Sequence, residues 1–145
     1  MRPGGGRWPL LAASLWWGGM TALSFVAVPV LFAQLGSPAV AGPVAASLFQ
    51  LQSWASVVLA LGLLLWCRSR AAPALWQALL PWLLLATLAG LVQEFGVAQR
   101  ILHARAAGNS VALWHRMGTA LVLVQWLCAL RVWWRLAADP HCRSV

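Results

Sequence analysis

Four apolar runs, each broken from the next by a short polar or proline-glycine stretch, divide the chain. A hydrocarbon core about 30 Å thick is crossed by about 20 consecutive apolar residues in a helix. The first run predicts helix one over residues 8–34. Pro29 lies inside it. Proline removes one backbone donor and crowds the carbonyl four residues back, so a kink is predicted near Phe25 to Pro29. Gly36-Ser37-Pro38 and Gly42-Pro43 read as loop signals, with Pro43 in the first turn of a second helix over 44–66. The first half of that helix holds Gln50, Gln52, Ser53 and Ser56. Its second half is purely apolar, and Arg68-Ser69-Arg70 ends it. The third run, 74–102, contains Pro81, which is predicted to distort its first turns. It is longer than the hydrocarbon requires, so Gln99 to Arg105 should project into the interface or water. Gly108 breaks it, and Asn109 or Ser110 can cap a fourth helix over 111–136. Asp139-Pro140 then ends regular structure. The pattern predicts an all-α fold, a polytopic integral membrane four-helix bundle, in one domain spanning residues 1–145.

Composition agrees. The chain is 62% hydrophobic and 8% charged, with a mean hydropathy of +0.79, whereas a soluble domain carries about 25% charged residues. A soluble fold of 145 residues could not hide this much apolar surface, so a lipid bilayer is the expected solvent. Arg2 and Arg7 precede an apolar stretch, as in a secretory signal. The stretch from Pro9 to Leu35 exceeds the about 7–15 residues of a signal core, so it reads as a retained span.

Ten basic residues, all arginine, face two acidic ones, for a net charge of +8. The arginines flank apolar runs, which encodes membrane topology rather than nucleic-acid binding. With four spans, Arg2, Arg7, Arg68, Arg70, Arg131, Arg135 and Arg143 share one side, and Arg100, Arg105 and Arg116 share the other. The positive-inside rule predicts both termini in the cytoplasm. Trp8, Trp66, Trp76, Trp133 and Trp134 fall at the same boundary, where an amphipathic ring prefers to sit. Cys67, Cys128 and Cys142 are scattered and form no CxxC pair, so neither a disulfide framework nor a structural zinc site is expected.

Membrane helices associate through small residues that allow close approach. Ser14, Gly18 and Ala22 in helix one, and Ala86 and Gly90 in helix three, recur at four-residue spacing and are expected helix–helix contacts. The second stripe continues to Glu94, the one acidic residue within a span. An intramembrane carboxylate is a functional candidate by default. Counting from the third loop places Glu94 and His115 at similar depths, so a Glu94–His115 or Glu94–Arg116 contact is expected. It could be a structural pair that holds two helices in register, or part of a proton relay or polar substrate site. A third reading leaves Glu94 in the wet interface.

His103 and His115 bracket the third loop and could in principle ligate a metal or haem iron. His103 falls at the water boundary, so the two rings do not share a depth, and no metal or cofactor is expected. His141-Cys142 in the tail is a weaker donor pair. Gln50, Gln52, Ser53, Thr119 and Gln125 could line a polar interior or simply bond neighbouring helices. No phosphate loop, catalytic triad, paired-carboxylate centre or zinc-protease motif is present, so the chain does not read as an enzyme.

The N-terminal half, with Trp17, Gly19, Pro29, Leu31-Phe32, Ala41-Gly42 and Leu48-Phe49, resembles the small membrane proteins similar to transmembrane protein 205, in bacteria a domain of unknown function. That family's histidine near the start of the last span would match His115. The resemblance implies a four-span membrane protein, here in a bacterial inner membrane, and little biochemistry. Three functions are carried forward: a small transport or export-assisting component, possible only as a homo-oligomer if the path runs between subunits; an accessory subunit of a larger membrane complex; and a redox protein using His103 and His115.

Overall fold

The computed structural model describes residues 7–108 and 110–140, without the side chains of Leu102 and Arg105. Arg2, Asn109, His141, Cys142 and Arg143 lie outside the described residues. The described chain forms four helices with no strand: α1 (Trp8–Leu35), α2 (Pro38–Arg70), α3 (Pro73–Ile101, with helical turns continuing to Ala106) and α4 (Ala112–Ala138). Each is long and apolar enough to cross a membrane. At about 1.5 Å per residue, even the 27-residue α4 is about 40 Å long, more than the hydrocarbon core. The protein is a multi-pass membrane protein built as an all-α bundle.

Local chemistry explains each boundary. Proline opens both α2 and α3 at the first helical position, where its missing N–H leaves nothing unsatisfied. The Ser37 carbonyl accepts from Val40 and Ala41 to start α2. Gly36 ends α1 at φ +63°, a left-handed conformation suited to glycine, with its N–H on the Phe32 carbonyl. Ser110 is the residue that reaches the start of α4: the Ala112 N–H donates to its Oγ at 3.4 Å.

The start of helix two and the effect of Pro81 differ from the expectation. Helix two begins at Pro38, not Val44, and Pro43 sits inside it. Pro38 takes the first-turn role, and Pro43 falls early enough in the helix to forfeit only one bond. Pro81 likewise lies inside a continuous α3. The expected disturbance in α1 takes a definite form. Residues Leu23–Ala27 widen into a π-turn just before Pro29, with the Val28 N–H reaching the Leu23 carbonyl. Pro29 cannot donate to the Phe25 carbonyl, and the wider turn relieves its ring's approach to that carbonyl.

The helices form a closed square: α1 packs on α2 and α4, and α3 packs on α2 and α4. The main core lies toward the end that holds both chain termini. There Ala13, Trp16 and Met20 of α1 meet Ala60, Leu63 and Cys67 of α2, Leu79, Leu83 and Ala86 of α3, and Cys128, Ala129, Val132 and Leu136 of α4. These buried positions recur at three- and four-residue spacing, the pattern of a helix presenting one face to its neighbours. Aromatic rings fill the seam between α1 and α4. Trp17 stacks on Trp133 with centroids 5.6 Å apart and lies 5.9 Å from Trp126. Trp133 Nε1–H donates to Ser14 Oγ at 3.0 Å, and Trp126 Nε1–H donates to Thr21 Oγ1 at 2.9 Å.

Polar groups cross the α1–α2 seam at one level. Trp16 Nε1–H and Gln52 Nε2–H both donate to Ser56 Oγ, at 3.0 and 3.2 Å, and the Ser56 hydroxyl points at Met20 Sδ, 3.8 Å away. In hydrocarbon the indole N–H has no water to fall back on, so this serine fixes where Trp16 sits.

A polar interior around Glu94

The polar interior of α2, α3 and α4 is built on two glycines. A Cβ at Gly90 of α3 would meet Val57 Cγ2 at 2.8 Å, Gln125 Oε1 at 3.6 Å and the Ser53 carbonyl at 3.6 Å. Gly90 therefore lets three helices converge, and it opens a notch into which the Gln125 amide of α4 fits. Across the same interface, a Cβ at Gly118 of α4 would meet Gln93 Nε2 at 3.4 Å and Val97 Cγ1 at 3.6 Å. The Gln93 amide of α3 lies over that second notch. The arrangement is reciprocal, with each helix offering one glycine to the other's glutamine.

Both amides are incompletely satisfied. Gln93 Oε1 and Gln125 Oε1 are buried and accept no hydrogen bond from the described residues, and Gln125 is 1% exposed. A buried polar atom without a partner is unfavourable, all the more in lipid. Glu94, 5% exposed, lies one turn beyond Gly90 and next to Gln93. Among the described residues it takes part in no ion pair. The two open acceptor oxygens lie at the α3–α4 interface, and the buried carboxyl group follows Gln93 directly along α3. Chemically this interior asks for a donor: a proton, or a small species carrying N–H or O–H.

The backbone is irregular at the same place. Residues Gln93–Ala98 form a second π-turn, which contains both Glu94 and the buried Val97. No proline causes it. π-turns insert one residue into the helix and are frequent at functional sites. The sequence carries no local signal for this one.

The expected partners of Glu94 stand elsewhere. His103, His115 and Arg116 are all exposed. Three pairings fix the antiparallel register of α3 and α4: Gly90 faces Gln125, Gln93 and Val97 face Gly118, and the Arg100 guanidinium lies 5.5 Å from the Trp114 ring centre. By that register Glu94 falls opposite residues 117 to 121. His115 lies nearer the loop than that level, by about 3–9 Å at ~1.5 Å per residue, and it is exposed where Glu94 is buried. The structure therefore does not bring Glu94 together with His115, Arg116 or His103. Counting back from the loop missed this because α3 overruns its neighbour. Among the described residues no group of three or more His, Cys, Asp or Glu lies close enough to hold a metal ion.

The remaining residues divide by burial. Ser53 and Gln125 are interior and Gln52 is half-buried, while Gln50 and Thr119 are exposed. Of the small-residue stripes, Ala86 and Gly90 are buried between helices. Ser14 is half-buried and accepts from Trp133. Gly18 and Ala22 face away from the chain's own helices, and a Cβ at Gly18 would meet nothing within 4 Å. Within the chain α1 packs instead through Ala13, Trp16 and Met20. Of the motif residues, Trp17 sits in the aromatic seam, Gly19 approaches the Gln52 side chain at 4.0 Å, and Pro29 follows the first π-turn. Phe32 is exposed, and Gly42 and Phe49 are half-buried.

Residues 11–110 match the model of a domain of unknown function, DUF4149. The match takes in nearly all of α1, the whole of α2 and α3, and the third loop. No curated protein and no solved structure matches the chain.

Proposed function

We propose that this chain, which belongs to the DUF4149 family, is a small membrane transport component in which Glu94 carries a proton or binds a small hydrogen-bond donor. One observation supports this reading above the others: a buried carboxyl group lies in a π-turn directly after Gln93, whose side-chain oxygen is buried without a partner among the described residues. A purely structural interior would be expected to pair its acceptors, because hydrocarbon supplies no substitute. An ionisable residue in that setting is retained at an energetic penalty of some kcal/mol, which a working role would explain.

Proton flux is the direct assay. Purified protein is reconstituted in liposomes holding a pH-sensitive dye, and the decay of an imposed pH gradient is followed. The wild type should dissipate the gradient faster than protein-free liposomes. Glu94→Gln keeps the shape and the acceptor but cannot release a proton, and it should return the decay to the protein-free rate. A wild type that conducts no protons, or a fully inserted Glu94→Gln that conducts like the wild type, would overturn the proton-carrying role.

A second reading, an accessory subunit of a larger membrane complex, draws on α1. Only 6% of its apolar window is buried in the chain, against 28% for each of the other helices. Its outward face presents Leu11, Leu15, Gly18, Ala22 and Phe25. That face fits lipid, a second copy or a partner helix, and co-purification in mild detergent separates these. The likeness to proteins similar to transmembrane protein 205 rests on the motif residues alone. The arginine distribution supports both termini on the cytoplasmic side, and we propose a bacterial inner membrane on the resemblance alone.

A further inference from the structure

At the end of the bundle that carries both termini, α1 and α2 enclose an open cleft of about 450 Å³ lined by Trp8, Gly62, Leu65, Trp66, Ser69 and Arg70. Its two ends differ in chemistry. Arg70 and Ser69 stand at the last turn of α2, with the Ser69 hydroxyl turned back onto the Trp66 carbonyl at 3.1 Å. Gly62 and Leu65 lie deeper. From Arg70 to Gly62 is eight residues, about 12 Å along the helix at ~1.5 Å each. The cleft therefore runs from a cationic mouth at the end of α2 to an apolar floor about two helical turns deeper in the bundle.

Its walls are fixed. The Trp8 and Trp66 rings meet edge to face with centroids 6.1 Å apart, and Trp66 is buried in the core. Gly62 makes the floor: a Cβ there would meet nothing within 4 Å, so the groove passes over it unobstructed. Charge favours an anion at the mouth. Arg7, Arg68, Arg70, Arg131 and Arg135 are the described arginines of this end, against Asp139 as its one described acid.

We propose that this cleft is a binding site for one anionic phospholipid, with the phosphate at Arg70, the glycerol region against the Trp8–Trp66 wall and one acyl chain along Gly62 and Leu65. An arginine fork suits phosphate oxygens, and tryptophan suits the interface between headgroup and chain. A free phosphate would use Arg70 and leave the deep half of the cleft empty. A zwitterionic lipid would fill the groove but gain less from the surrounding positive charge. The lipid reading is thus the one that uses both ends of the cleft.

Native mass spectrometry of the purified full chain, titrated with phosphatidylglycerol, phosphatidylcholine or inorganic phosphate, tests this. The wild type should retain one phosphatidylglycerol in preference to phosphatidylcholine, and inorganic phosphate should not compete at matched concentration. Two surface substitutions that leave the core alone separate the halves of the site. Arg70→Ala should weaken phosphatidylglycerol retention about fivefold, as expected for one juxtamembrane cation. Gly62→Leu, which fills the floor, should weaken it without removing any charge. Arg116→Ala, at the opposite end, should change nothing. Wild-type retention in both Arg70→Ala and Gly62→Leu would overturn the proposal. Equal retention of phosphatidylcholine, or displacement by inorganic phosphate, would overturn it as well.

Discussion

Replacing Gly90 with alanine is expected to destabilise the bundle by about 1–3 kcal/mol, the usual range for forcing an added group into a packed core. The added Cβ would sit 2.8 Å from Val57 Cγ2, a separation real Cβ atoms do not adopt, so a helix or a side chain must move. Val57 is itself 6% exposed and β-branched, so it has little room to turn aside. Thermal or detergent-driven unfolding, followed by tryptophan fluorescence, measures the loss. The cause is checked by Val57→Ala. That change opens a small cavity alone, but in combination with Gly90→Ala it should remove the clash, so that the double mutant loses about 1 kcal/mol less than the two single losses added together. Gly118→Ala is the internal contrast. Its Cβ would meet Gln93 Nε2 at 3.4 Å, the far end of a flexible side chain that can shift. It should therefore leave stability nearly unchanged. If Gly90→Ala were as harmless, the three-helix convergence at Gly90 would be wrong.

A larger loss, about 3 kcal/mol or more, is expected from Trp16→Ala. Trp16 is fully buried and donates its indole N–H to Ser56 at 3.0 Å. Both folded and separated helices lie in lipid, so the transfer from water that dominates in soluble cores contributes little here. What remains is packing: a hole the size of an indole between α1 and α2, whose walls are held by Met20 and Ala60. Trp16→Phe keeps most of the ring and gives up the hydrogen bond, which among membrane helices averages about 0.6 kcal/mol. The gap between the two variants thus separates shape from hydrogen bonding. Equal losses for Phe and Ala would mean that the bond to Ser56, not the packing, holds α1 in place.

These two residues also mark what could be read from the chain alone. The four spans were legible because lipid leaves a chain few options, and long apolar runs between arginine-bearing breaks specify them. The burial of Glu94 was legible too, since it continues the spacing of Ala86 and Gly90. Where helix two starts was not. Pro38 and Pro43 are both suitable first-turn residues, and only the Ser37 carbonyl accepting from Val40 and Ala41 decides between them. Smallness did not say which face of helix one packs within the chain. Gly18 and Ala22 permit close approach, but the chain turns Ala13, Trp16 and Met20 inward, because an indole with a buried serine to bond anchors a helix better than a bare surface does.

The site was half legible for a related reason. Depth was counted from the loop, as if α3 and α4 began level. The register is in fact set by the two glycine notches, which lock Gln125 over Gly90 and Gln93 over Gly118. A glycine reveals that something approaches, but the approaching side chain comes from another helix, and a single sequence does not say which. The π-turn at Gln93–Ala98 had no signal at all, whereas the one before Pro29 announced itself through the proline.

Glu94 is buried in the bundle, apart from the exposed His115 and Arg116, by the register of α3 on α4. Cysteine cross-linking in membranes, with Cys67, Cys128 and Cys142 replaced by alanine, tests that register directly. A Val97→Cys, Gly118→Cys pair should oxidise to a disulfide in high yield, since the two positions touch. A Glu94→Cys, His115→Cys pair should not, because position 94 is buried while position 115 lies nearer the loop and faces outward. Efficient cross-linking of the second pair, with none of the first, would place Glu94 at the loop and contradict the account.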